Sequence, residues 1–158
     1  MRVKQIMTAD VRHGNRCTSV DEAICLMKIN DSGFLPIVDE ETRGLIGVVT
    51  DRDVLLRAVY GHLDVRLMPV TDVMTESLVT IRPEDTLERA VRVMASHQLR
   101  RLPVVSPEGE LAGVLSLTDI VRSDAVPPKA IVTALRKITA PPKAHCVNRS
   151  LLLKTCAA

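Results

Sequence analysis

Gly47-Val48-Val49-Thr50-Asp51-Arg52-Asp53-Val54-Leu55 has the pattern of an apolar strand, a polar step and the start of a helix. Sixty-six positions later (113 minus 47), Gly113-Val114-Leu115-Ser116-Leu117-Thr118-Asp119-Ile120-Val121 repeats that order. A glycine, two aliphatics, a hydroxyl residue and, three further on, an aspartate recur in sequence. The repeat predicts a duplicated unit. The polar residues at both strand-to-helix junctions predict a duplicated binding site.

Working outward, the echo continues. Ile6-Met7-Thr8 returns as Val73-Met74-Thr75, an offset of 67 (74 minus 7). Ser19-Val20-Asp21-Glu22 has the form of a capping box, in which the hydroxyl takes an orphan amide and the glutamate reaches back. Behind it Val20, Ala23, Ile24 and Met27 form one apolar helical stripe, and Leu87, Ala90, Val91 and Met94 repeat it with Asp85 or Thr86 as cap. The two methionines read as core filler. Leu35-Pro36-Ile37-Val38 and Leu102-Pro103-Val104-Val105 are matching strands. Turns follow at Asp39–Gly44 and Ser106–Gly109, the second one residue shorter, and then strands Leu45–Val49 and Leu111–Leu115. Helices are expected to begin near Asp51 and Thr118, with Tyr60-Gly61 ending the first. Val11–His13 and Leu78–Ile81 are expected as opening strands.

The expected fold class is therefore mixed α/β (α+β), two tandem repeats of β-α-β-β-α. Each half exposes an apolar sheet face that it cannot cover alone, so the copies pack face to face. The expected division is 1–60 for the first unit, 61–72 for a linker, 73–124 for the second unit and 125–158 for a C-terminal helix and flexible tail. Ala130, Ile131, Ala134, Leu135 and Ile138 give that helix an apolar face needing a partner, either the module itself or a second subunit. Leu151-Leu152-Leu153 in the tail is a possible docking stretch.

Composition excludes several classes. With 158 residues and 46% hydrophobic, the chain can bury a core without disulfides or metals. No apolar run spans a membrane and the N-terminus lacks a secretory stretch, so a cytoplasmic location is expected. Twenty-one basic against 19 acidic residues is too even for a nucleic-acid surface, and one Tyr, one Phe and no Trp leave nothing for base-stacking platforms. Cys17, Cys25, Cys146 and Cys156 form no CxxC pair and read as reduced thiols. His145, Cys146 and Cys156 are too scattered to make a metal site, and none is expected.

The doubled set of M-T, amphipathic helix, L-P-[IV]-V and G-V-[VL]-[ST]-x-x-D resembles a pair of cystathionine-β-synthase (CBS) domains, a Bateman module, over roughly residues 1–124. A free-standing pair also resembles small prokaryotic CBS-pair proteins, the hypoxic-response type among them. The resemblance implies a pseudo-twofold module, assembly of two modules into a flat homodimeric disc, and adenosine derivatives in the clefts between copies: AMP, ADP or ATP, with S-adenosylmethionine or NAD as further possibilities.

The residues support a nucleotide on their own terms. A hydroxyl at Thr50 or Ser116 can bond a phosphate or sugar oxygen, and a carboxylate three residues on can accept from a ribose. Thr50, Arg52 and Asp53 belong to one candidate site, with Arg52 as a phosphate clamp. Ser116, Thr118 and Asp119 belong to the other. It lacks that arginine, but Arg100-Arg101 stand where the family often places phosphate-reaching bases. Thr80 and Ile81 occupy positions that line the base slot in the family; their first-half counterparts are His13-Gly14. Phe34 either flanks an adenine or belongs to the core. The competing use of Asp53 and Asp119 is as first-turn helix acids.

No nucleophile–base pair, phosphate-binding glycine loop or metalloprotease signature is present, so no catalytic activity and no required cofactor are expected. The expected function is regulatory adenine-nucleotide binding, with a possible regulated protein partner. The alternatives are an interaction module with vestigial nucleotide sites and, behind it, a metal- or redox-responsive module using the cysteines.

Overall fold

The computed structural model describes residues 1–59 and 64–141. Both repeats are visible in it. In the first half a helix, α1 (Val20–Ile29), leads to an antiparallel hairpin of β1 (Phe34–Val38) and β2 (Leu45–Thr50), and then to a short helix, α2 (Asp51–Asp53), which continues as a wider π-wound segment over Val54–Val59. In the second, α3 (Leu87–His97), β3 (Arg101–Val105), β4 (Leu111–Ser116) and α4 (Leu117–Arg122) follow in the same order, and α5 (Pro128–Ile138) is added. Among the described residues no helix is long and apolar enough to cross a membrane.

Local chemistry explains the helix starts. The Ser19 hydroxyl accepts from the Glu22 amide at 3.2 Å while Glu22 Oε2 takes the Ser19 amide at 2.7 Å, the expected capping box. Thr86 rather than Asp85 caps α3, accepting from the Arg89 amide at 3.3 Å. Gln98 ends α3 in a left-handed conformation (φ 56°), and its amide donates to the carbonyls of Lys137 (3.1 Å) and Ala140 (2.8 Å) at the end of α5.

The expected opening strands do not form as strands. One parallel bridge forms at each place instead: Gly14, just after the first expected strand, beside Ile37, and Ile81, at the end of the second, beside Val104. The reason lies in the L-P pairs. The Gly14 amide donates to Pro36 O and its carbonyl accepts from the Val38 amide, both at 2.9 Å. Two residues earlier, a continuing parallel ladder needs an N–H from residue 36, and proline has none. Pro103 imposes the same stop on Ile81.

Each half lends an arm to the other. Val3–Gln5 forms a 3-10 turn whose Val3 is buried in the second half's core, among Leu87, Met94 and Leu102. Val70–Asp72 forms the matching turn, and Val70, Val73 and Met74 are buried in the first half's core with Val20, Leu35 and Val49. The amide and carbonyl of Thr8 both bond Val114 (3.0 Å each), and those of Thr75 both bond Val48 (2.8 and 3.1 Å). The segment expected as a linker is thus, from residue 64 onward, packed structure: Val65 and Met68 lie against the first core. The Gly44 and Glu110 hairpin tips also bridge each other. Tyr60-Gly61, expected to end α2, lies outside the described residues.

The extra helix finds its partner within the chain. Ile131, Ala134 and Ile138 of α5 join the second core, and α5 covers α3. The effect shows at two equivalent positions: Val91 on α3 is 6% exposed, whereas Ile24 on α1, which has no such cover among the described residues, is 38% exposed. The tail with Cys146, Cys156, His145 and Leu151–Leu153 lies outside the described residues.

Candidate functional site

Among the concavities, one brings predicted site residues together. It is a cleft of about 480 Å³ built from four pieces of chain. The β4–α4 junction supplies Val114, Ser116, Thr118, Asp119 and Arg122; the N-terminal arm supplies Thr8, Asp10, Val11 and Arg12; the end of α1 and the start of β1 supply Asn30, Asp31, Ser32 and Phe34. Arg101, the first residue of β3 and the register partner of Ser116, completes it. The exchange of arms makes this possible, because Thr8 is bonded to Val114 beside the junction.

The cleft divides by chemistry. Val11, Phe34 and Val114 give it apolar surface. Arg12, Arg101 and Arg122 bring three guanidinium groups, suited to bidentate contact with phosphate oxygens. Ser116 and Asp119 form a tight pair: Asp119 Oδ2 accepts from the Ser116 amide (2.9 Å) and hydroxyl (2.6 Å), and the hydroxyl accepts from the Asp119 amide (3.1 Å). This is a capping box with an aspartate in the glutamate position. It consumes one carboxylate oxygen. Oδ1 carries no hydrogen bond or ion pair among the described residues. Its volume falls in the range of small-molecule sites.

The first junction is built alike but is occupied differently. Asp53 Oδ2 accepts from the Thr50 amide (3.0 Å) and hydroxyl (2.6 Å). Its other oxygen, Oδ1, pairs with Arg57 at 3.2 Å. Arg52 is exposed, and among the described residues only its amide is engaged, donating to Asp51 Oδ1 at 2.7 Å. The adjacent concavity, about 500 Å³ and lined by Gly33, Asp51, Val54 and Leu55 among others, includes none of Thr50, Arg52 and Asp53.

Three other sequence candidates lie apart from the cleft. Ile81 is 3% exposed and packed in the second core. Thr80 precedes it, half-buried, and its counterpart His13 lines a different concavity with Asp39, Glu40 and Arg43. Arg100 is exposed, and its carbonyl accepts from the Leu117 amide at 2.9 Å. Val11 and Arg12, rather than Thr80 and Ile81, line the cleft. Phe34 is 9% exposed and also lines the cleft. Arg12, Arg122 and Arg57 were not singled out from sequence. Only the Asp53–Arg57 spacing of four, a helical pairing distance, signals the last.

Other chemistry is sparse. Cys17 and Cys25 are free and exposed. Among the described residues no three or more His, Cys, Asp or Glu side chains gather in a metal-holding group.

Comparison with known proteins agrees with this fold. The family model described as the CBS domain matches twice, at residues 3–60 and 70–125. An uncharacterized protein of Bacillus subtilis, YlbB, is 37% identical over 78% of this chain and 82% of its own length. Hypoxic response protein 1 of Mycobacterium tuberculosis is 30% identical over 87% of this chain and 94% of its own length. The crystal structure of Hypoxic Response Protein I with two coordinated zinc ions superposes with a TM-score of 0.71 at 28% identity, over 80% of this chain and all of that one. That of CBSX2 in complex with AMP gives 0.68 at 32% identity, over 78% of this chain and 95% of the other. Two family matches covering most of the chain, on a fold with two equivalent halves, show that it belongs to the CBS-domain family as a tandem CBS pair.

Proposed function

We propose that this CBS pair is a regulatory adenine-nucleotide-binding module without catalytic activity, and that its ligand lies in the cleft of Ser116 and Asp119. The observation that carries the reading is the composition of that cleft: apolar Val11, Phe34 and Val114 beside a carboxylate with one unengaged oxygen, and three arginines around them. An adenine takes the apolar surface, a ribose hydroxyl donates to Asp119 Oδ1, and the phosphates meet Arg12, Arg101 and Arg122. The relative solved with AMP supports an adenine nucleotide as the ligand class. Arg12, Arg101 and Arg122 offer donors to the phosphates of AMP, ADP or ATP, while Asp10, Asp31 and Asp119 balance their charge, so S-adenosylmethionine and NAD are further candidates. The ligand regulates by favouring one packing of the two halves, or of two modules in a cytoplasmic homodimer, and so one state of a protein partner.

One observation favours a second reading, an interaction module with vestigial sites. Asp53 and Asp119 both serve as capping-box acids, which by itself gives the repeated hydroxyl-x-x-Asp a structural reason.

Thermal unfolding of the purified protein with AMP, ADP, ATP, S-adenosylmethionine and NAD separates the two. A native-state ligand stabilises the fold by RT ln(1 + [L]/Kd), about 2.7 kcal/mol at a hundredfold excess over Kd, and so raises Tm. The nucleotide reading expects such a rise, lost in Asp119→Asn. No rise with any of the five leaves the interaction module.

A further inference from the structure

The two junctions carry the same capping box, but at the first a further side chain, Arg57, engages the acid of that box. Arg57 extends from the π-wound segment after α2 and spans the first junction. Its Nη2 lies 3.2 Å from Asp53 Oδ1 and donates to Thr75 Oγ1 at 3.3 Å. Its Nη1 donates to the carbonyls of Val73 (2.7 Å) and Met74 (2.9 Å). Val73–Thr75 is the arm equivalent to Ile6–Thr8, so Arg57 runs from the junction carboxylate to the arm. In the second half the same two walls, Asp119 and Thr8, face each other across the open cleft.

The position equivalent to Arg57 in the second half is Ser123 (57 plus 66). Its hydroxyl donates back to Ile120 O at 2.8 Å and crosses nothing. Arg52, read from sequence as this site's phosphate clamp, plays no part in the contact. A guanidinium that neutralises Asp53 and fills its second oxygen takes the acceptor a ribose needs, and adds a positive charge bonded to the opposite wall.

We infer that Arg57 is the built-in occupant of the first junction, so that the chain takes one nucleotide, at the second junction, and shortening Arg57 opens another site at the first. This rests on the nucleotide reading of the second cleft, and the test keeps the two apart. Isothermal titration of AMP is carried out on the wild type, Arg57→Ser, Asp119→Asn and the double variant. The expected stoichiometries per chain are one, two, none and one. Hydrogen exchange at the Thr75 amide, bonded to Val48 O at 2.8 Å, shows whether the arm stays seated in Arg57→Ser.

Two sites in the wild type, or one in Arg57→Ser with Thr75 still protected, overturns the inference while the nucleotide reading stands. A wild type that binds no AMP while Arg57→Ser binds one overturns the second-cleft assignment and supports Arg57 as occupant. No binding in any variant overturns both. If Thr75 loses protection in Arg57→Ser, Arg57→Lys decides: it keeps a cation on the arm but cannot span both walls in a fork, so an occupant role expects a second, weaker site, and an unchanged count of one overturns the inference.

Discussion

Gly113 lies directly beneath the carbonyl of Thr8, so close that a Cβ on it would collide with that backbone oxygen. Gly47, its equivalent, lies beneath the side chain of Met74 in the same way. The glycine that opens each repeated stretch is therefore there because the other half's arm crosses over it. Three residues on in each strand stands the hydroxyl residue of the junction. One short stretch thus fixes both the exchange of arms and the position of the site.

The two crossings differ in what a methyl group meets, and this gives the first prediction. At Gly113 the obstacle is backbone held by paired hydrogen bonds to Val114; at Gly47 it is the far end of a flexible methionine. Gly113→Ala is expected to destabilise by about 1–3 kcal/mol, and Gly47→Ala by less. Urea denaturation of both variants checks it. Equal losses would mean that the Thr8 arm yields as easily as a side chain.

The cover of α5 over α3 gives the second. Ile131 is 8% exposed and packs in the second core, whereas Val132 beside it is 49% exposed. Ile131→Ala is expected to cost about 2–5 kcal/mol, and Val132→Ala to be near neutral. Denaturant midpoints of the two variants test the assignment of the helix face. Similar small losses in both would show that α5 contributes little to the core.

Much of the architecture was legible because it depends on local pattern. The stripes Val20–Met27 and Leu87–Met94 became α1 and α3, and four paired strands fell within a residue of their expected bounds. What escaped depends on distant contacts. The exchange of arms leaves no periodic trace, since Ile6-Met7-Thr8 looks the same whichever half it packs on. The loss of the opening strands followed from a missing N–H on a neighbouring strand, at Pro36 and Pro103. In the candidate site the repeat marks Ser116 and Asp119, the family resemblance points to Thr118 and Arg101, and the structure gathers all four along one cleft. Arg57 was not, because an arginine four residues after an aspartate reads as an ordinary surface pair until the arm is seen behind it.

A third prediction concerns acid. Asp39 opens the first hairpin turn, where its Oδ1 accepts from the amides of Thr42 (3.1 Å) and Glu41 (3.2 Å) and its Oδ2 from Arg16 (3.1 Å). The Thr42 amide first, and then the Arg16 side chain, hold its carboxyl below the ordinary aspartate range. A carboxyl with a depressed folded pKa contributes stability that is complete above the unfolded value, about 3.9, and is lost as pH falls through the folded one. Carbon-detected NMR titration is expected to place its midpoint below that of a free aspartate. Asp39→Asn is expected to flatten the acid limb of the stability curve. A midpoint at the free value would contradict the turn geometry.

The last prediction separates phosphate contact from general packing in the cleft. Arg101 is half-buried at the start of β3, opposite Ser116, and forms no ion pair among the described residues. Its guanidinium is thus available to a ligand, and a hydrogen bond to a charged group is worth about 1.5–3 kcal/mol. Arg101→Ala is expected to weaken AMP by about tenfold or more while leaving adenosine, which lacks the phosphate, nearly unchanged. Arg52→Ala, at the first junction and exposed, is expected to change neither. Titration calorimetry with both ligands reads the difference directly. Should AMP and adenosine lose affinity equally, Arg101 shapes the cleft rather than binding phosphate, and that contact passes to Arg12 or Arg122.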